Sequence, residues 1–299
     1  MSAPTGVGMT AVVVAYARSI ETARRDQLFS DPWAEDFVRA SGWSLPERQD
    51  DTSGSAPWTA MLVWTVVRTC FLDEVVLDAT RAGCEQVVLL GAGLDTRALR
   101  LPLPPRTQVF EVDTAEVLDF KDSVLASADH RPASDTGRVT VRGDLRGPWA
   151  AALLKSGFES RKRTVWVAEG LLQYLSPQDN ELLFARVGEL SPPRSRLGAT
   201  LTPPGTMAAR PYSAGLLTTF GNVAPESVGD LWRSDGPADP QQWLARHEWQ
   251  ATIVDAAQHA RTLGRDIPDI TDSSAAPRRS LVDAIKLSDG RRSGLQPPQ

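Results

Sequence analysis

Residues Gln86–Gly93, QVVLLGAG, constrain this chain more than any other stretch. Four consecutive apolar residues, Val87 to Leu90, make the short continuous run of a strand buried on both faces. The run breaks at once into Gly91-Ala92-Gly93. Glycines so spaced let the backbone turn tightly and approach a ligand where a Cβ would block it. Asp95, Thr96 and Arg97 then begin a helix. Strand, glycine loop and helix N-terminus in that order describe either a nucleotide-binding turn or a plain tight turn. The dinucleotide pattern G-x-G-x-x-G is left incomplete, because Thr96 stands at its third position.

A second apolar run, Val109-Phe110-Glu111-Val112-Asp113, places acids about twenty residues beyond the first glycine, where a β-α-β nucleotide site puts the carboxylate that accepts from ribose hydroxyls. Glu111 and Asp113 share one face of that strand, and its C-terminal end favours Asp113. The competing reading is a surface acid that ends a strand.

At 299 residues the chain has room for one large α/β domain or two small ones. Its 41% hydrophobic and 23% charged residues are ordinary for a globular protein with a sizeable core. A net charge of −5 without a basic run argues against nucleic acid as the main partner. Cys70 and Cys84 fit neither a disulfide framework nor zinc spacing, and His130, His247 and His259 are too scattered for a metal set. No stretch approaches a membrane span and no signal-peptide pattern is present, so a cytoplasmic location is expected, with no membrane partner.

The front third reads as a helical lead-in. Thr10 to Arg25 carries an apolar face of Val12, Val13, Tyr16, Ala17 and Ile20. Asp31-Pro32 has the form of an N-cap followed by proline at the first helical position, and Ser41 to Pro57 reads as a loop. Trp58 to Ala82 is a long helix with Arg68 in its middle. Strand and helix then alternate: a helix over Ala115–Ala128, strands at Val139–Leu145 and Thr164–Ala168, and a capping box at Ser176-Pro177-Gln178-Asp179 that starts a helix to about Leu190. A fifth strand is expected at Arg196–Thr202, and alternation of this kind implies a mostly parallel sheet covered on both faces. Pro203 to Arg246 is too long for an ordinary connection, so it is either a lid or disordered, and its Tyr212, Phe220, Trp232 and Trp243 favour a packed lid. Trp249–Val254 and Ser280–Leu287 are the last strands, with a helix to Leu263 between them. The expected organisation is one domain: a lead-in over 1–82, a core over 83–202, a lid insertion over 203–246 and the end of the sheet over 247–299.

Taken in order, GVGMTAVVVAYARSIET, DQLFSDPWAEDFV, VVRTCFLDE, VVLLGAGLDTRALRL, VFEVDTAEVLDFK, GDLR and VAEGLLQYL span Gly6 to Leu175, and WLARHEW near Trp243 adds a weaker segment. This ordered set resembles the class I methyltransferases that use S-adenosylmethionine (SAM). More narrowly it resembles the leucine carboxyl methyltransferase family, in its actinobacterial branch of SAM-dependent enzymes. The resemblance implies a Rossmann-like sheet of seven strands, six parallel and the last, Ser280–Leu287, antiparallel.

It also implies roles for particular residues. Gly91 and Gly93 would bring the backbone against the amino-acid and ribose portions of the cofactor, Asp113 would hold its ribose hydroxyls, and Asp144 with Leu145 would meet its adenine. Arg68 would pair with its carboxylate through a guanidinium fork, and Glu169 would sit beneath it. Where the family has a second arginine two residues after Arg68, this chain has Cys70.

The implied reaction is methyl transfer to a small-molecule acceptor, a carboxylate favoured, with S-adenosylhomocysteine (SAH) as product and tailoring of secondary metabolites as the setting. Glu169, Tyr174, Tyr212, His247 and Arg210 are the candidates for contact with the acceptor or for a base. The alternatives are methylation at a hydroxyl, nitrogen or carbon, a nicotinamide-dependent oxidoreductase, and a SAM-binding regulator without activity. The oligomeric state is not read from these residues.

Overall fold

The computed structural model describes residues 5, 7–42, 56–134, 136–205, 231–268 and 279–288. Seven strands form one sheet: β1 (Gln86–Leu90), β2 (Gln108–Asp113), β3 (Gly137–Arg142), β4 (Thr164–Ala168), β5 (Arg196–Leu201), β6 (Trp249–Asp255) and β7 (Ser280–Lys286). Their order is β3-β2-β1-β4-β5-β7-β6, and β7 runs antiparallel to both neighbours. The chain starts at β1, works outward to β3, then returns to place β4 on the other side of β1. Such a reversal leaves a crevice at the carboxyl ends of the strands.

The apolar runs read from the sequence are buried because the central strands are covered twice. Val87 and Leu89 pack with the long helix α3 (Ala56–Arg81), while Val88 and Leu90 face a second core that includes Trp149 and Trp166. The alternation follows from the two-residue period of a strand. A third cluster joins α1 (Val7–Thr22) and α2 (Trp33–Ser41) to the glycine loop and to the helix after β2 through Val12, Trp33, Phe37, Leu94 and Phe120. Among the described residues, no helix is long and apolar enough to cross a membrane.

Several boundaries differ from expectation. The helix after the glycine loop, α4, covers only Arg97–Arg100. β3 stops at Arg142, so Asp144 and Leu145 belong to the loop beyond it. Helix α5 (Ala115–Ser127) links β2 to β3, and α6 (Trp149–Lys155) links β3 to β4. The reciprocal Ser176–Asp179 capping box opens α7 (Pro177–Glu189), as its spacing indicates. Asp31 does not cap α2: Pro32 occupies the cap position without a side-chain hydrogen bond, and Asp31 turns into the interior.

Residues 206–230 of the expected lid lie outside the described residues. The returning chain after them packs as core. Gly236 presses against Thr202, where a Cβ would fall 2.0 Å from the Thr202 carbonyl oxygen. The Asp239 side chain then caps α8 (Pro240–Arg246), whose Trp243 and Leu244 enter the same core as Phe184. Helix α9 (Ala256–Thr262) completes the face shared with α3.

Candidate cofactor and acceptor site

A cavity of about 410 Å³ opens at the carboxyl ends of β1, β2, β4 and β5, roofed by α1 and walled by α3. Its floor is the glycine loop. Gly91 and Gly93 have φ of +62° and +49°, a region that side chains resist. A Cβ on Gly91 would come within 2.9 Å of Leu171, and one on Gly93 within 3.2 Å of Ala11 in α1. Both glycines therefore serve close approach as well as the turn.

Asp113 closes this loop from the side. Its Oδ2 accepts from the Gly93 amide at 2.7 Å and its Oδ1 from the Thr114 amide at 2.7 Å. Burial pushes its carboxyl up, and these two amides pull it back. A carboxylate has about four acceptor positions, so capacity remains for hydroxyl donors from the cavity. Glu111, two residues earlier on the same strand face, lies deeper in the interior, paired at 2.8 Å with both Lys121 and Arg138. Lys121 also donates to the Asp95 carbonyl, tying α5 to the turn after the glycines.

Asp144 and Leu145 line the wall beyond β3. The Asp144 carboxylate accepts from the Arg146 side chain and from its amide at 2.9 Å, and the side-chain contact to Arg146 holds it below the usual carboxylate range.

Charge is concentrated around Glu169, at the end of β4. Arg68 donates its Nε to Oε1 at 2.9 Å, Arg18 reaches the same oxygen at 3.4 Å, and Arg97 holds Oε2 at 2.6 Å. Burial alone would raise the Glu169 carboxyl, but Arg97, Arg18 and Arg68 outweigh it and keep it well below the usual range. Arg97 is fully buried and is held in turn by Asp95 and by Asp73, at 2.7 Å from its Nε. Asp73 also holds Arg100. Glu169 is thus an anchor for guanidinium groups, and its carboxylate is spent on them.

Arg18, Arg97, Asp95 and Asp73 went unassigned in the sequence. The available signal was charge at positions where an apolar pattern leaves no room for it. Arg18 follows AVVVAYA, and Arg97 sits two residues past Asp95 at the edge of the buried run.

The other candidates are scattered. Tyr174, in the short 3₁₀ turn Leu172–Tyr174, lines the cavity. His247 lies outside the wall, against Phe184 and Trp243, with its Nε2 2.9 Å from Glu181. Tyr212 and Arg210 fall outside the described residues. Cys70 is packed in α3, and burial pushes its thiol up to about 12, so it offers no second cation and no nucleophile. On the side of the cavity away from the glycine loop, Met61, Trp64, Thr202, Trp232, Arg233 and Arg279 complete the wall. The Trp64 ring has Arg68 at 5.8 Å and Arg279 at 5.3 Å from its centroid. Among the described residues, no group of His, Cys, Asp and Glu is placed to hold a metal.

Residues 11–188 match the model of the leucine carboxyl methyltransferase family. A protein of Streptomyces coelicolor, provisionally named an S-adenosyl-L-methionine-dependent methyltransferase, is 40% identical over 285 residues, covering 95% of this chain and 96% of its own. A Streptomyces avermitilis protein of the same provisional name is 43% identical over 286 residues, with the same coverage. Among solved structures, a DUF574 family protein from Streptomyces avermitilis aligns with a TM-score of 0.55 at 14% identity, over 93% of this chain and 97% of that one. A protein from Thermobifida fusca, titled provisionally as a methyltransferase, aligns at 0.51 and 17% identity, over 92% and 94%. These two likenesses concern the fold.

Proposed function

The chain belongs to the leucine carboxyl methyltransferase family, and from that premise we propose that it methylates an oxygen of a small molecule, with a carboxylate as the favoured acceptor. It is a SAM-dependent methyltransferase. The residues present suit that cofactor. Asp113 has spare acceptor capacity beside a loop that only glycine permits, Asp144 and Leu145 face the same cavity, and Arg68 and Arg18 offer guanidinium groups to a carboxylate.

Bound SAM supplies an electrophilic methyl group on a sulfonium whose departure needs no proton. What remains for the chain is to align the acceptor and exclude water. The observation that carries the choice of acceptor is the state of Glu169. It is the acid at the end of β4 and lines the cavity, yet three arginines hold it ionised and occupied, so it is no general base. A carboxylate acceptor, already ionised at neutral pH, needs none. Trp64, Trp232, Arg233 and Arg279 offer such a molecule apolar surface and positive charge. We place the reaction in secondary-metabolite tailoring on the strength of the family alone.

The test is the product formed from labelled SAM and a panel of carboxylic acids, phenols and alcohols. A methyl ester releases labelled methanol in mild base. A label that resists base overturns the carboxylate reading and leaves the methyltransferase reading intact.

A further inference from the structure

Asp31 is a buried acid that neither the sequence motifs nor the reaction accounts for. It is 1% exposed, and neither of its carboxylate oxygens has a hydrogen-bond partner among the described residues. The Thr96 hydroxyl lies against it without completing a hydrogen bond of good geometry. An isolated buried carboxylate is costly, so its neighbours decide whether it is an accident or a component.

Those neighbours include two guanidinium groups, one of which, that of Arg18, lines the cavity. Arg100 and Arg18 are the cations acting on Asp31, and Asp95 is the acid opposing them. Burial pushes the Asp31 carboxyl up, and the two arginines pull it back. The Nε groups of Arg18 and Arg100 are themselves buried and unpaired among the described residues. Among the described residues none of these atoms forms a direct ion pair with Asp31, so the acid acts on the two guanidinium groups as a buried charge and not as a hydrogen-bond partner.

Arg18 is the member that most needs such support. Its direct polar contacts, to Glu169 and to the Leu94 carbonyl, both lie at 3.4 Å, whereas Arg68 and Arg97 reach Glu169 at 2.9 and 2.6 Å. It is nonetheless only 3% exposed. The backbone couples the two residues as well. The Asp31 amide donates to the Thr22 hydroxyl at 2.9 Å, and that hydroxyl donates to the Arg18 carbonyl at 2.8 Å. The charge count agrees: Arg18, Arg68, Arg97 and Arg100 face Glu169, Asp95 and Asp73, and Asp31 is the fourth acid.

We propose that Asp31 is a positioning residue, the counter-charge that holds the Arg18 guanidinium at the cavity wall so that it meets the carboxylate end of the cofactor. This rests on the cofactor placement given above. Asp31 touches no ligand itself, and its effect is confined to the amino-acid portion of whatever binds.

Calorimetry with two ligands tests this. SAH carries the amino-acid tail, and 5′-methylthioadenosine has the same nucleoside without it. Asp31→Asn is expected to weaken SAH about tenfold, the scale of one hydrogen bond to a charged group, and to leave methylthioadenosine unchanged. That unchanged ligand also reports a folded site. Arg18→Gln should do the same, and the double variant should bind SAH no more weakly than Arg18→Gln alone. Equal losses for both ligands, no loss for either, or full additivity with Arg18→Gln overturns the assignment. Failure of the unaltered protein to bind SAH overturns the cofactor placement itself.

Discussion

The Gly93 amide donates to the Asp113 carboxylate across 2.7 Å, joining the loop after β1 to the end of β2. The contact fixes one oxygen of the acid and leaves the carboxylate open to the cavity. Asp113→Ala is expected to weaken SAH by roughly 1–3 kcal/mol, the cost of leaving polar partners unsatisfied. Asp113→Asn, which keeps an acceptor oxygen, should lose less. Titration calorimetry on the folded variants checks this, and unchanged affinity in Asp113→Ala would remove the ribose assignment.

Gly93→Ala should disturb the same corner in two separable ways. A left-handed alanine costs about 1–2 kcal/mol in backbone strain. Its Cβ would also stand 3.2 Å from that of Ala11 and push α1 off the loop. Adding Ala11→Gly should restore SAH affinity more than stability, because it relieves the contact and not the strain. Denaturant midpoints and SAH titrations on the single and double variants separate the two.

Arg68 uses its Nε on Glu169 and lines the cavity with the rest of its head group. A lysine keeps the charge but has a single nitrogen, so it cannot hold Glu169 and a ligand carboxylate in the same fork. Arg68→Lys is therefore expected to raise the SAH dissociation constant about tenfold, near the effect of a lost charge-assisted hydrogen bond. Methylthioadenosine, which lacks the carboxylate, should bind as before. A lysine variant with full SAH affinity would place the carboxylate elsewhere.

Glu169→Gln leaves Arg18, Arg68 and Arg97 without their shared counter-charge, and removal of one partner from a buried ion pair costs about 3–5 kcal/mol. The pH dependence has a definite sign. The folded Glu169 carboxyl lies below its unfolded value, about 4.3. Its contribution is therefore complete above that pH and is lost as pH falls toward the folded value. Asp31 runs the other way, because its folded carboxyl is raised: its contribution is present at low pH and fades as pH rises through the folded value. Urea midpoints from pH 3 to 7 should show a shallower acid loss in Glu169→Gln than in the unaltered chain. Parallel curves would mean that Glu169 is not the group responsible.

Apolar runs and glycine spacing determined the alternating core by themselves. Val87–Leu90 had to be a buried strand and Gly91-Ala92-Gly93 a turn open to a ligand, because those preferences are local to a few residues. The capping box at Ser176 was legible for the same reason, and the ordered motifs made the family and the placing of Asp113 readable. Tertiary structure decided what depends on residues far apart in the chain. Glu169 could be read as a base or a prop until Arg18, Arg68 and Arg97, from three separate helices, met at its two oxygens. Asp31 had the local form of a helix cap, and burial beside Arg18 and Arg100 gave it another role. Trp243, grouped with a lid by its position in the chain, packs on Phe184 at 4.4 Å between ring centroids. Ionic and packing energies are set by distance and by exclusion of water, and neither is a property of any local stretch of sequence.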